Sequence, residues 1–172
     1  YIREQLQVGL PIGFSIFFEA SIFSIAGLLM VHFGSAVVAA HQSVISFTNV
    51  FYCLPLSIAM AATIAVGYEL GAGREKDAVQ YSYISRIVAI VVAIAICGFT
   101  FTNMESISSL FTNDEEVYNL IYRFLGYGVF FSAFDAIGTP LQGILRGYKD
   151  VKIVFYISLI SYWGVCFPIA YI

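Results

Sequence analysis

Five apolar stretches, each long enough to cross a lipid bilayer as a helix, are joined by connections too short to hold a soluble domain. A span needs about 20 predominantly apolar residues. The stretches run roughly from Val8 to Val31, Val44 to Glu69, Tyr83 to Asn103, Val117 to Leu145 and Lys152 to Ile172. In lipid every backbone N–H and C=O must be satisfied within the protein, so such stretches cross as helices. The expected fold is all-α, a polytopic membrane protein built as a helical bundle of about five transmembrane helices.

Composition agrees. Hydrophobic residues make up 60% of the chain and charged residues 11%, against roughly 45–50% and 25% in soluble domains. A water-soluble fold would leave much of that apolar surface uncovered. The net charge of −3 and the lack of a basic patch with interleaved aromatics exclude a nucleic-acid partner. Cys53, Cys97 and Cys166 are widely spaced inside apolar stretches, with no CxxC or Cys/His cluster, and read as packing residues. Neither a cofactor nor a resident metal is expected. The first stretch, at about 24 residues, exceeds the 7–15 of a signal-peptide core and reads as a span.

The connections are a Gly-Ser turn at Gly34-Ser35, a polar run from Gly71 to Asp77, an acidic segment from Glu105 to Glu116, and Arg146 to Asp150. Residues Glu105 to Phe111 read as a short interfacial helix. None of these holds a soluble domain, so residues 1–172 form a single transmembrane domain, and no internal repeat is visible. Arg3, Arg74, Lys76, Arg86, Arg146, Lys149 and Lys152 fall on one side of such a bundle, while Glu105, Asp114, Glu115 and Glu116 gather with Arg123 on the other. Basic residues favour the cytoplasmic side, which puts the N-terminus there and Ile172 near the outer face. The odd number of spans, the missing initiator Met and an end inside a helix read as a piece of a longer protein.

Glu19 and Asp135 lie in the middle of the first and fourth stretches. A carboxylate at the bilayer centre costs roughly 2.5–3.5 kcal/mol on insertion scales, so two of them point to an ion or substrate pathway. At 1.5 Å per residue, both sit roughly 15–17 Å from the cytoplasmic side, at the midplane where transporter sites are built. Helical spacing gathers Gly128, Ser132, Gly138, Thr139 and Gln142 near the Asp135 side, with Phe130, Phe134, Ile137, Leu141 and Ile144 mostly elsewhere. Around Glu19 the neighbours are Ser15, Phe23, Ala26 and Gly27. The alternative is a pair of neutral, hydrogen-bonded carboxyls that serve packing.

Pro55 and Pro140 lie inside the second and fourth stretches. Each frees the carbonyl four residues earlier, at Phe51 and Ala136, and a freed carbonyl beside Asp135 suits a cation as well as it suits a static kink. His32 and His41 flank the first outer connection, as proton sensors or as ordinary end residues. Aromatics such as Tyr81, Tyr83, Tyr118, Tyr122 and Trp163 are numerous, and those near the span ends fit an interfacial belt.

Together, Gly9-Leu-Pro-Ile-Gly13, Phe17-Phe-Glu-Ala20, Ala39-Ala-His-Gln42, Tyr52-Cys-Leu-Pro55, the run from Val66 to Gly73 and Leu145-Arg-Gly-Tyr-Lys-Asp150 resemble the C-terminal lobe of NorM-type exporters of the MATE (multidrug and toxic compound extrusion) family. The likeness covers nearly the whole chain. Members have twelve spans in two six-helix lobes. This chain is similar to spans seven to eleven, without the N-terminal lobe or the last span. The resemblance implies multidrug efflux of organic cations by Na⁺- or H⁺-coupled antiport with alternating access, in the plasma (inner) membrane, and no enzyme activity. It implies that Glu19 and Asp135 form the cation-coupling site, the only place a Na⁺ ion would bind. Substrate-binding candidates are Tyr52, Gln42, Asp114 and Glu115. Each has a plainer reading: packing for Tyr52, a helix end for Gln42, and a solvated acidic face for Asp114 and Glu115. Phe131 stands where some members carry a tyrosine, which removes a hydroxyl ligand.

Two other classes compete. A lipid-linked oligosaccharide flippase of the same superfamily would be expected to present basic residues to phosphates, and none lies at the midplane. An intramembrane hydrolase would use two acids, but its Tyr-Asp and Gly-x-Gly-Asp patterns are missing.

Overall fold

A computed structural model describes residues 2–166. Its elements are α1 (Ile2–Met30), a 3₁₀ turn (Val31–Phe33), α2 (Ser35–Gly71), α3 (Glu75–Thr102), α4 (Met104–Phe111), α5 (Glu115–Gly147) and α6 (Val151–Leu159), the last running on as a π-helix (Ile160–Cys166). There is no strand among the described residues, and the fold is the expected all-α bundle. Four helices among the described residues are long and apolar enough to cross a membrane. The fifth expected span, Lys152 to Ile172, is represented by α6 and the π-helix, and its last six residues lie outside the described ones.

The helices outrun the spans expected from hydropathy. Helix α2 begins at Ser35 instead of Val44, because Ala-rich residues with high helix propensity follow Gly34 directly. Gly34 itself has φ 101°, a conformation that ends the 3₁₀ turn and is open chiefly to glycine. Helix α3 begins at Glu75, with Glu75 and Asp77 in its first turn, where acidic groups meet the positive end of the helix dipole. The expected short helix is present as α4, which packs Met104, Ile107 and Ser108 inward.

Packing here follows the rules of lipid, where apolar surface gains nothing by turning inward. Buried positions are dominated by small residues, among them Ala40, Ala59, Ala62, Ala78, Ala89, Ala93 and Ala136, while Phe101, Ile64, Leu110 and Phe130 are exposed. Small residues let backbones approach closely, so dispersion and interhelical hydrogen bonds hold the bundle. Helices α2, α3 and α5 pack mutually, α2 against α5 most extensively, and α1 pairs with α6.

The α2–α5 contact is a close one. A Cβ placed on Gly143 would fall 2.3 Å from the Ala59 carbonyl oxygen, and one on Gly147 would fall 2.9 Å from Val66 Cβ. The Thr63 hydroxyl donates to the Gly143 carbonyl at 2.8 Å. Higher up, Gly128 faces Val44 and Thr48. The pairs Val44 with Gly128, Ala59 with Gly143 and Val66 with Gly147 rise together along both chains, so α2 and α5 run parallel. Their C-terminal turns therefore share one end of the molecule.

Those two turns are built alike. After α2, Gly73 N–H donates to Leu70 O and Arg74 N–H to Glu69 O; after α5, Lys149 N–H donates to Arg146 O and Asp150 N–H to Leu145 O. This is the Schellman pattern, with a residue of positive φ at the same step: Gly73 at 75° and Lys149 at 60°. The sequence reading found no internal repeat, and the likeness is confined to these helix ends.

Candidate functional site

Helices α1, α2 and α5, with Ile96 of α3, line a partly open cavity of about 630 Å³. Glu19 enters it from α1, Tyr52 and Asn49 from α2, and Asp135 from α5. Each of Glu19, Tyr52 and Asp135 is half-buried. Along α5 the lining follows one helical stripe, Ser132, Asp135, Thr139, Gln142 and Arg146, at spacings of three or four residues that keep side chains on one face. The apolar Phe130, Phe134, Ile137 and Leu141 of the same helix are exposed on its outside.

The charged side chains that line the cavity are two acids, Glu19 and Asp135, and one base, Arg146. Glu19 is close enough to feel the charges of both Asp135 and Arg146. The Thr139 hydroxyl donates to Asp135 Oδ1 at 3.3 Å. Phe51 and Ala136, whose carbonyls lose their helical donors to Pro55 and Pro140, also line the cavity. Both helices continue through their prolines. Phe131 stands at the wall and meets Phe23 of α1 edge-to-face, ring centroids 6.0 Å apart.

The other sequence candidates lie elsewhere. Gln42 is exposed and is not among the lining residues. Asp114 and Glu115 are exposed at the start of α5, where the Asp114 carboxylate accepts from the N–H groups of Glu116 (2.9 Å) and Val117 (3.4 Å) as an N-cap. His32 is exposed and His41 half-buried; Cys53 and Cys97 are free, and the Cys97 thiol faces the Val129 carbonyl at 3.7 Å. The side chain of Cys166 lies outside the described ones. Among the described residues no cluster of His, Cys, Asp and Glu has the makings of a metal site.

Sequence reasoning missed two features. Hydropathy puts Arg146 in a connection, yet it belongs to α5 and lines the cavity. Its position four residues beyond Gln142, on the Asp135 stripe, was the available signal. The second is the Gly143-x-x-x-Gly147 spacing, a small-residue motif of close helix contact that the expected span bounds divide, leaving Gly147 in the connection.

Comparison with known proteins gives the family. The MatE family model matches residues 11–172. Proteins named "Probable multidrug resistance protein NorM" are similar over almost the whole chain. The one from Halalkalibacterium halodurans is 46% identical over 170 residues, 99% of this chain and 37% of the relative. That of Geobacillus kaustophilus is 47% identical over 167 residues, 97% of this chain and 37% of the relative. That of Bacillus subtilis is 44% identical over 169 residues, 98% of this chain and 37% of the relative. The chain thus spans little more than a third of the length of these curated relatives. With that match and four helices fit to cross a membrane, this chain is an integral, multi-pass membrane protein belonging to the MatE family.

Proposed function

We propose that this chain is the C-terminal lobe, spans seven to eleven, of a multidrug exporter that exchanges organic cations for Na⁺ or H⁺. The observation that carries the reading is the convergence of Glu19 and Asp135, from helices far apart in sequence, on one cavity that also holds the Tyr52 ring. The multidrug-resistance names of the relatives support it. A buried pair of like charges favours holding a proton or a sodium ion between them. An organic cation draws on the same carboxylates, with about 2 kcal/mol available from a desolvated contact over the tyrosine face. Coupling ion and drug then compete, and each favours a different arrangement of this lobe against an N-terminal one, which is alternating access. The basic turns after α2 and α5 face the cytoplasm of the inner membrane in this reading.

Arg146 gives the flippase alternative one basic group in the cavity. One guanidinium against two carboxylates still leaves the wall net acidic, which suits cations better than phosphates. The test is equilibrium binding of ethidium to the purified full-length protein, titrated with sodium and with acid. Competition by either ion that is lost in both Glu19→Gln and Asp135→Asn supports the shared site. Ethidium binding that neither substitution alters overturns it.

A further inference from the structure

We propose that Arg146 is a fixed counter-charge that sets how much positive charge this cavity accepts. The inference rests on the cation-site reading of Glu19 and Asp135 given above. Arg146 Nε is buried and has no hydrogen-bond partner among the described residues. The side chain lines the cavity, and its charge acts on both Glu19 and Tyr52. The arginine after α2 is used differently: Arg74 contacts Glu69 at 2.5 Å and Asp77 at 3.6 Å. Arg146 has no such ion pair among the described residues.

A guanidinium stays charged in a protein, and a buried charge is stabilised by opposite charges that face it. Here the facing charge is Glu19, across the cavity on α1, while Asp135 lines the same cavity further along the α5 stripe. With both carboxylates ionised, Glu19 and Asp135 contribute two negative charges and Arg146 one positive, so this wall carries a single net negative charge. One monovalent cation neutralises it. A dication leaves an excess positive charge in a poorly screened space and meets Arg146 as a like charge. Arg146 is therefore a specificity determinant that favours monocations over dications.

Ethidium and propidium share a phenanthridinium ring system, and propidium carries one additional positive charge on its side chain. Their binding to the full-length protein is compared for the parent, Arg146→Gln, Arg146→Lys and Gln142→Glu. Removing the charge in Arg146→Gln raises the propidium-to-ethidium affinity ratio about tenfold or more, a Coulomb effect of one nearby charge. Arg146→Lys keeps the parent ratio. Gln142→Glu adds a negative charge to the same wall and raises the ratio without touching Arg146, which keeps the test open if Arg146→Gln fails to fold. An unmoved ratio in Arg146→Gln or Gln142→Glu, or a raised ratio in Arg146→Lys, overturns the counter-charge role. Failure of the underlying reading is distinct: ethidium binding would then be indifferent to Glu19→Gln and Asp135→Asn.

Discussion

Glu19 on α1 and Asp135 on α5 face one cavity, and Glu19 lies near enough to feel the Asp135 charge. Because α1 and α5 belong to different packing groups, α1 with α6 and α5 with α2 and α3, a cation held between these acids bridges the two. In the proposed reading such a bridge would give ion binding a mechanical consequence, drawing α1 toward the α2–α5 pair and releasing it when the ion leaves.

The α2–α5 seam is the rigid side of that arrangement. Gly143→Ala forces the Ala59 backbone away, and overpacking of this kind costs about 1–3 kcal/mol. Gly126→Ala, whose Cβ would meet only the Met104 methyl at 3.7 Å, leaves the packing intact. Thermal unfolding of the full-length protein in detergent separates the two. A midpoint lowered by several degrees in Gly143→Ala and little changed in Gly126→Ala is expected. Equal midpoints would contradict the close seam.

How much of this was legible beforehand depended on which force set each feature. Long apolar runs dictate membrane helices almost by themselves, so the spans and the isolated acids could be read directly. Spacing also predicted that Ser132, Thr139 and Gln142 would share the Asp135 side, because helical geometry is local. Helix ends were harder: Ser35 to Ser43 and Glu75 to Ser82 are helical, yet their polar residues hide this from a hydropathy reading. The reach of Arg146 into the cavity was hidden for a related reason. A long side chain at a helix end can turn either to water or inward, and the choice is made by neighbouring helices. The placement of Gln42 on the outside likewise depends on tertiary packing.

The two matched turns make opposite predictions. Lys149 occupies the left-handed region at φ 60°, which costs a residue with a Cβ roughly 1–2 kcal/mol. Lys149→Gly is expected to stabilise by about 1 kcal/mol, and Gly73→Ala to destabilise by a similar amount. Unfolding midpoints that move in the same direction would sink this account of the turns.

Asp114 can be assigned by charge removal. Asparagine caps a helix about as well as aspartate, whereas alanine loses roughly 0.5–2 kcal/mol. If the carboxylate serves only the start of α5, Asp114→Asn leaves stability and ethidium affinity unchanged, and Asp114→Ala lowers stability alone. A drop in affinity with Asp114→Asn would make the residue a substrate contact as well as a cap.

Efflux of a fluorescent organic cation from vesicles containing the full-length protein, with sodium and proton gradients imposed separately, tests the central claim most directly. Transport driven by at least one gradient and lost in both Glu19→Gln and Asp135→Asn is the predicted result. Gradient-driven efflux that persists in both variants would contradict a coupling site built from these two acids.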